Sequence, residues 1–245
     1  MTARKNKKSI SMPEMEEAAE RVIMGPERKS RVISDKEKRL TAYHEGGHTV
    51  LGMLLPHTDP VHKVTIIPRG RAGGYTLSLP TEDKYYATKS EMLDELKVLL
   101  GGRVAESLVL KEISSGASND LQRATQLAHQ MVCTYGMSEK LGPVTYGRGE
   151  SQVFLGRDYT REKEYSEEVA AEIDQEVRGI IGTAYKETEK LLSDNMDKLE
   201  CVANALMEKE TLERDEIENL MKYGTITAPE PEIPAESQAN DTSEI

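Results

Sequence analysis

One short stretch of the sequence has the residue types and spacing to do chemistry: His44-Glu45-Gly46-Gly47-His48. On a helix, side chains four apart share one face, with Cβ atoms about 5–6 Å apart. Two imidazoles so placed can fill two corners of a tetrahedral zinc site. Glu45 follows the first His directly, close enough to reach water at the metal without ligating it. The ion lowers the pKa of that water towards 7, and a carboxylate can then accept its proton as it attacks a peptide carbonyl. Random placement of the chain's histidines and glutamates gives roughly 0.01 matches to this motif. The bland reading is two solvated histidines on an exposed helix face.

A third protein ligand has to come from elsewhere. The extended pattern that adds a His six residues after the second fails, because Leu54 stands there. The remaining candidates are Glu106, Asp120, His57, His62 and His129. Asp120 opens a helix, where the dipole favours a carboxylate whether or not it ligates anything. Glu106 can equally be a surface acid or an acceptor that orients a ligand His. His129 has apolar neighbours at helical spacing, as a core histidine would. His57 and His62 flank the strands and show no ligand spacing.

The elements that must position these residues are legible in the periodicity. Met15, Ala18, Ala19, Val22 and Ile23 mark one face of a helix over 12–24, ended by Gly25-Pro26. Ser34 and Glu37 have capping-box spacing and open the motif helix, which runs to about Leu55 with Leu40, Tyr43, Gly47, Val50 and Leu54 inward. Two glycines in mid-helix each cost about 1 kcal/mol against Ala, so something packs closely there. Val61–Ile67 and Tyr75–Leu79 read as strands of a small antiparallel sheet with at least one exposed edge. Thr88 and Glu91 cap a helix that extends to about Leu110. A polar loop leads into the Asp120 helix, with Leu121, Ala124, Leu127, Ala128, Met131 and Tyr135 in register. Further helices fit Ser166–Asp194, Met196–Lys209 and Arg214–Lys222. The fold class expected is mainly α, a helical domain with a small antiparallel sheet near the motif helix.

Composition narrows the function. The 245 residues are 37% hydrophobic and 31% charged, with a net charge of -11. Such an acidic chain is not built for nucleic acid or anionic lipid, which attract Lys and Arg. Cys133 and Cys201 form no CxxC pair and read as free thiols or small core residues. The run Val50–Leu55 falls far short of the roughly 20 apolar residues a membrane span needs. The basic N-terminus has no apolar stretch behind it to make a secretory signal. The stretch from Thr227 to Ile245, rich in Pro and acids, is expected to be a disordered acidic tail.

Five blocks in order carry a family resemblance: Tyr43 to His48, Val61 to Gly70, Gly101-Gly102-Arg103-Val104-Ala105-Glu106, Ser115 to Asp120, and Gly136 to Pro143. Over about Ile10 to Met221 the chain resembles the protease domain of the FtsH family, membrane-anchored ATP-dependent zinc metalloproteases of the AAA class. The resemblance implies that His44, His48 and Asp120 hold one Zn2+, that Glu45 is the catalytic base, and that Glu106 orients a ligand His. It implies that the strand at Gly73, Gly74, Tyr75, Thr76 and Leu77 receives an extended substrate, which suits strand addition because backbone pairing accepts many sequences. It further implies a homohexameric ring, unfolded polypeptide substrates, and ATP/Mg2+ bound only by a motor domain of the same protein. The full protein would sit in the cell inner membrane with this domain facing the cytoplasm. Residues 1–30 resemble the last part of the ATPase lid, 31–225 the zinc metalloprotease domain, and 226–245 the tail. The chain thus looks like a C-terminal fragment.

Gly46 and Thr49 depart from the family pattern, which usually has Ala and a small apolar residue there. No G-x-x-x-x-G-K-[ST] occurs, so this chain carries no such phosphate cradle. Two other classes compete with the endopeptidase reading. One is a noncatalytic helical assembly module of the same ring, and the other a metal-dependent hydrolase of small molecules.

Overall fold

The computed structural model describes residues 2, 6–23, 25–27, 33–70, 72–80, 82–146 and 165–227. The expected tail from 228 onward lies outside the described residues. Among the described residues, seven α-helices and three strands follow in the order α1 (Met12–Ile23), α2 (Asp35–Leu54), β1 (Val61–Thr65), β2 (Tyr75–Ser78), α3 (Lys89–Ala105), α4 (Ser118–Cys133), α5 (Glu167–Asp194), α6 (Met196–Lys209), β3 (Thr211–Glu213) and α7 (Arg214–Tyr223). The mainly helical class with a small antiparallel sheet is what the sequence predicts.

The helix that carries the motif is the centre of the molecule. Ser34 Oγ accepts the Glu37 N–H and starts α2. Every residue from Ala42 to Gly52 is then buried, a continuous run rather than a stripe, so α2 is covered all round. α3 and α6 flank it and the sheet lies beside it, with Val50, Leu51, Val61, Val64, Leu199, Val202 and Leu206 in the shared core. A Cβ on Gly47 would stand 2.4 Å from Gly101 O. These paired glycines let the backbones of α2 and α3 approach to a distance that any side chain would block. The close packing expected of the motif glycines is therefore real at Gly47. At Gly46 the nearest atom is the flexible end of Leu199, at 3.3 Å.

The sheet order is β2-β1-β3, antiparallel throughout. β3 is too short to signal itself in the sequence and completes the sheet from the far end of the chain: Ile66 N–H donates to Glu210 O, and the hydroxyls of Thr65 and Thr211 meet at 2.7 Å. β1 ends at Thr65, two residues short of the expected strand. β2 remains the sheet's outer strand on the side away from β1.

Three helices differ from expectation. The full capping box of Thr88 and Glu91 forms at α3, but α-geometry stops at Ala105 and gives way to a π-helical turn over Glu106–Leu110, closed by Lys111 in the left-handed region. On α4, Ala124, Ala128 and Met131 are buried while Leu121 and Tyr135 are exposed, because α4 ends at Cys133 and Tyr135 turns to the rim of a cleft. On α1 the apolar face (Met15, Ala18, Ala19, Val22) is outward and the acids Glu14 and Glu20 are buried. Charge partners decide this orientation. Glu14 meets Lys7 and Ser11, and Glu20 meets Lys63 and Arg69. Cys133 and Cys201 are free thiols.

Candidate metal centre

α2 presents His44 and His48 on the face that packs towards α3 and opens to a cleft, where Asp120 in the first turn of α4 meets them. Gly102 makes room for the first imidazole: a Cβ there would fall 2.5 Å from His44 Cε1. The π-helical turn swings Glu106 inward until it is fully buried, a use of such turns common at functional sites. Glu106 Oε1 lies 2.7 Å from His44 Nδ1, and the carboxylate also accepts from Ser114 N–H and Oγ at 2.7 and 3.0 Å. His48 Nδ1 lies 2.7 Å from Val98 O on α3.

These contacts fix both tautomers. A carbonyl oxygen can only accept, so His48 Nδ1 must carry the hydrogen. The Glu106 carboxylate requires the same of His44. Each ring, when neutral, therefore presents its lone pair at Nε2, where a cation can replace the second proton. The two Nε2 atoms are 3.1 Å apart, and Asp120 Oδ2 is 3.3 Å from one and 3.6 Å from the other. Corners of a tetrahedral zinc site are roughly 3.3 Å apart at ordinary Zn–N and Zn–O distances. Three electron-pair donors in mutual contact repel one another unless a cation sits among them, and the triangle has the size zinc needs.

The carboxylates around the histidines draw positive charge to the same place, a proton or a metal ion. Burial alone would lower the His44 pKa, but its hydrogen bonds with Asp120 and Glu106 outweigh that and push it up to about 10. Burial likewise opposes ionisation of Asp120 and of Glu106. Hydrogen bonds with the histidines, and with Ser114 for Glu106, hold both carboxyls below the usual carboxylate range. The site attracts positive charge.

Glu45 stands beside the triangle, 6% exposed. Its burial raises its pKa, and the nearby histidines and a hydrogen bond from Thr76 only partly offset this. Thr76 Oγ1 donates to Glu45 Oε2 at 2.9 Å. Among the described residues, His44, His48 and Asp120 are the one cluster of three with metal-binding geometry. His57 borders the same cleft but is not part of the triangle. His62 lies on β1, and His129 Nε2 faces Cys133 Sγ at 3.6 Å.

Gly73, Gly74, Tyr75, Thr76 and Leu77 also line this cleft, together with Tyr85, Tyr86 and Arg123. Their side chains divide. Tyr75 is buried and its hydroxyl donates to Glu20 Oε2 at 2.9 Å. Thr76 is on Glu45, and Leu77 is half-buried. Sequence reasoning did not find the Val98 carbonyl, Ser114 or the Thr76–Glu45 bond. A backbone acceptor carries no residue signal, and a lone Thr or Ser is too common to point anywhere.

A family model described as peptidase family M41 matches residues 31–220. The chain is 64% identical over 218 residues to the ATP-dependent zinc metalloprotease FtsH 2 of Alkaliphilus metalliredigens, covering 89% of this chain and 32% of that protein. It is 55% identical over 243 residues to the ATP-dependent zinc metalloprotease FtsH of Veillonella parvula, covering 99% and 38%. Against the Bacillus subtilis protein of the same name the identity is 53% over 227 residues, covering 92% and 36%. The chain spans about a third of the length of the curated relatives it matches.

Proposed function

The chain belongs to peptidase family M41, a family of peptide hydrolases, and from that premise we propose that it cleaves internal peptide bonds of extended polypeptides at the His44–His48–Asp120 centre. The observation that carries this reading is the convergence of two imidazole lone pairs and a carboxylate oxygen within 3.1–3.6 Å, with a second, buried carboxylate alongside. His44, His48 and Asp120 would hold zinc, the metal named in the relatives. When bound, zinc supplies the Lewis acidity that eases addition of water to a peptide carbonyl.

The chain's own groups do the rest. Glu106 and the Val98 carbonyl keep the imidazoles in one tautomer and one orientation. Glu45 acts as general base. Thr76 occupies Oε2, so Oε1 takes the proton from the attacking water and delivers it to the departing amine nitrogen. The outer edge of β2 offers backbone donors and acceptors to an extended chain, which orients the scissile bond across the cleft without reading its sequence.

The relatives are named ATP-dependent, and on that basis the domain works as part of a longer, processive, membrane-anchored protease that degrades unfolded or misassembled membrane and soluble proteins. In it a homohexameric ring receives chains from an ATPase of the same polypeptide, and this domain faces the cytoplasm at the inner membrane. Residues 1–30 belong with that ATPase's lid and residues 31–225 form the peptidase domain, a division supported by the match over 31–220. No described helix is long and apolar enough to cross a membrane.

The test is metal analysis with two variants. Wild type is expected to hold about one zinc per chain and to cleave unfolded polypeptide. Glu45→Gln should keep the zinc and lose hydrolysis by at least ~100-fold, as loss of a general base implies. Asp120→Ala should bind zinc far more weakly. Turnover retained in Glu45→Gln removes Glu45 as base, and zinc content equal to wild type in Asp120→Ala moves the third ligand elsewhere.

A further inference from the structure

α1 lies outside the segment matched to the peptidase family, 31–220, yet it is wired to the centre of that segment. Glu20, 5% exposed on α1, receives three donors from the sheet: Lys63 Nζ on β1 at 2.7 Å, Arg69 from the β1–β2 connection at 2.9 Å, and the Tyr75 hydroxyl on β2 at 2.9 Å. Arg69 is itself buried, packs over the Tyr75 ring and pairs with Glu27, just past α1, at 2.7 Å. One carboxylate thus ties α1 to both strands and to the turn between them. A buried phenol of this kind has its position set by the acceptor that its hydroxyl finds.

The next residue along β2 is the one that holds the base. Thr76 Oγ1 reaches Glu45 Oε2 at 2.9 Å and Glu45 O at 3.3 Å. The strand has no slack on the way. A Cβ on Gly74 would stand 2.6 Å from Thr65 O and 3.0 Å from Glu45 Cγ, so β2 lies against the base at van der Waals distance. A shift of Tyr75 is therefore passed to Thr76 and from there to the Glu45 carboxylate.

We infer that Glu20 and Tyr75 are positioning residues for Glu45, acting through Thr76, so that the seating of α1 on the sheet sets the activity of the peptidase centre. A segment upstream of the peptidase can then raise or lower hydrolysis without touching zinc, substrate or the base. Elements joined through α1 thus act on the placement of the base.

The inference rests on the proposed peptidase reading, and the test separates the two. In the full 245-residue chain, Tyr75→Phe removes only the hydroxyl and leaves the ring in place. It should lower kcat about 5-fold on an unfolded polypeptide, by a larger factor than it changes KM, with zinc content unchanged. Glu20→Ala should have the same effect. Thr76→Val should lower kcat about 10-fold or more, and Tyr75→Phe combined with Thr76→Val should be no slower than Thr76→Val alone, because both losses travel one path. Unchanged kcat in Tyr75→Phe, effects that multiply in the double variant, or a fall in zinc content that accounts for the lost rate would overturn it. Because Tyr75→Phe is shape-conserving, it decides the matter even if Glu20→Ala fails to fold. A zinc-loaded wild type without peptide hydrolysis would sink the peptidase reading, and the coupling would fall with it.

Discussion

Three glycines around the motif stand in three different contacts, and each predicts a different result for the same change to Ala. At Gly46 the new methyl meets a terminal methyl of the buried Leu199 at 3.3 Å, a contact relieved by a small side-chain adjustment, so the gain in helix propensity dominates. Gly46→Ala should raise stability by about 0.5–1 kcal/mol in a denaturant titration and leave zinc content unchanged. At Gly47 the obstacle is the Gly101 backbone at 2.4 Å, which cannot swing aside, and Ala should cost about 1–3 kcal/mol or more. At Gly102 the obstacle is the His44 ring. Gly102→Ala should weaken zinc binding by about 10–100-fold, the size seen when a ligand's supporting contacts are lost, in competition with a chromogenic chelator. An unchanged zinc affinity would show that the ring has another seat. At this scale the sequence was readable where spacing is fixed by one helix, as for His44, Glu45 and His48. Asp120 was legible only through family resemblance, because its approach depends on how α4 packs, and no periodicity encodes that.

The helices were readable because apolar residues at three- and four-residue intervals announce them, and caps at Ser34 and Thr88 formed as their residues require. Three features were not legible for one shared reason: tertiary partners overrode local signals. β3 is three residues between two helices and exists because β1 needs a second neighbour. The π-helical turn exists because Glu106 must reach His44. α1 turns its acids inward because Lys63 and Arg69 wait there. This last arrangement has a pH signature. The Glu20 carboxyl is buried, which opposes ionisation, yet Lys63, Tyr75 and Arg69 hold its pKa below the ordinary 4.5. A depressed carboxyl contributes stability above its ordinary pKa and loses it as pH falls through the lower folded value. The groups facing it are Lys63, Arg69 and Tyr75, with Glu213 and Glu27 on the two cations. The hold of α1 on the sheet should therefore be full at neutral pH and weaken below about pH 4.5. Amide exchange over 14–23 should then accelerate before exchange in α2 does, whereas equal acceleration in both helices would show that Glu20 is not the local tie.

Across the whole molecule, the candidate centre joins elements that share little else. His44 and His48 come from α2 and Asp120 from α4, and both helices reach each other chiefly through α3. Zinc held there would be a cross-link as well as a cofactor. Ligand held a thousandfold above its Kd adds about 4 kcal/mol to folding, or roughly 8–16 °C in melting temperature for a domain of this size. Chelation should lower the melting temperature by that order, zinc should restore it, and Asp120→Ala should abolish most of the difference. A chelator-insensitive melting curve in a zinc-loaded sample would contradict the cross-link. The late arrival of β3 has its own consequence. The bond between Thr65 and Thr211 joins residues 146 apart, and α6, which lines one side of α2, immediately precedes β3. While the chain is being made, His44, Glu45 and His48 emerge long before the walls that orient them exist. The candidate centre of a growing chain should thus stay unassembled until β3 has left the ribosome, and a peptidase so arranged would not digest its neighbours, or itself, while residues 44–213 are being made.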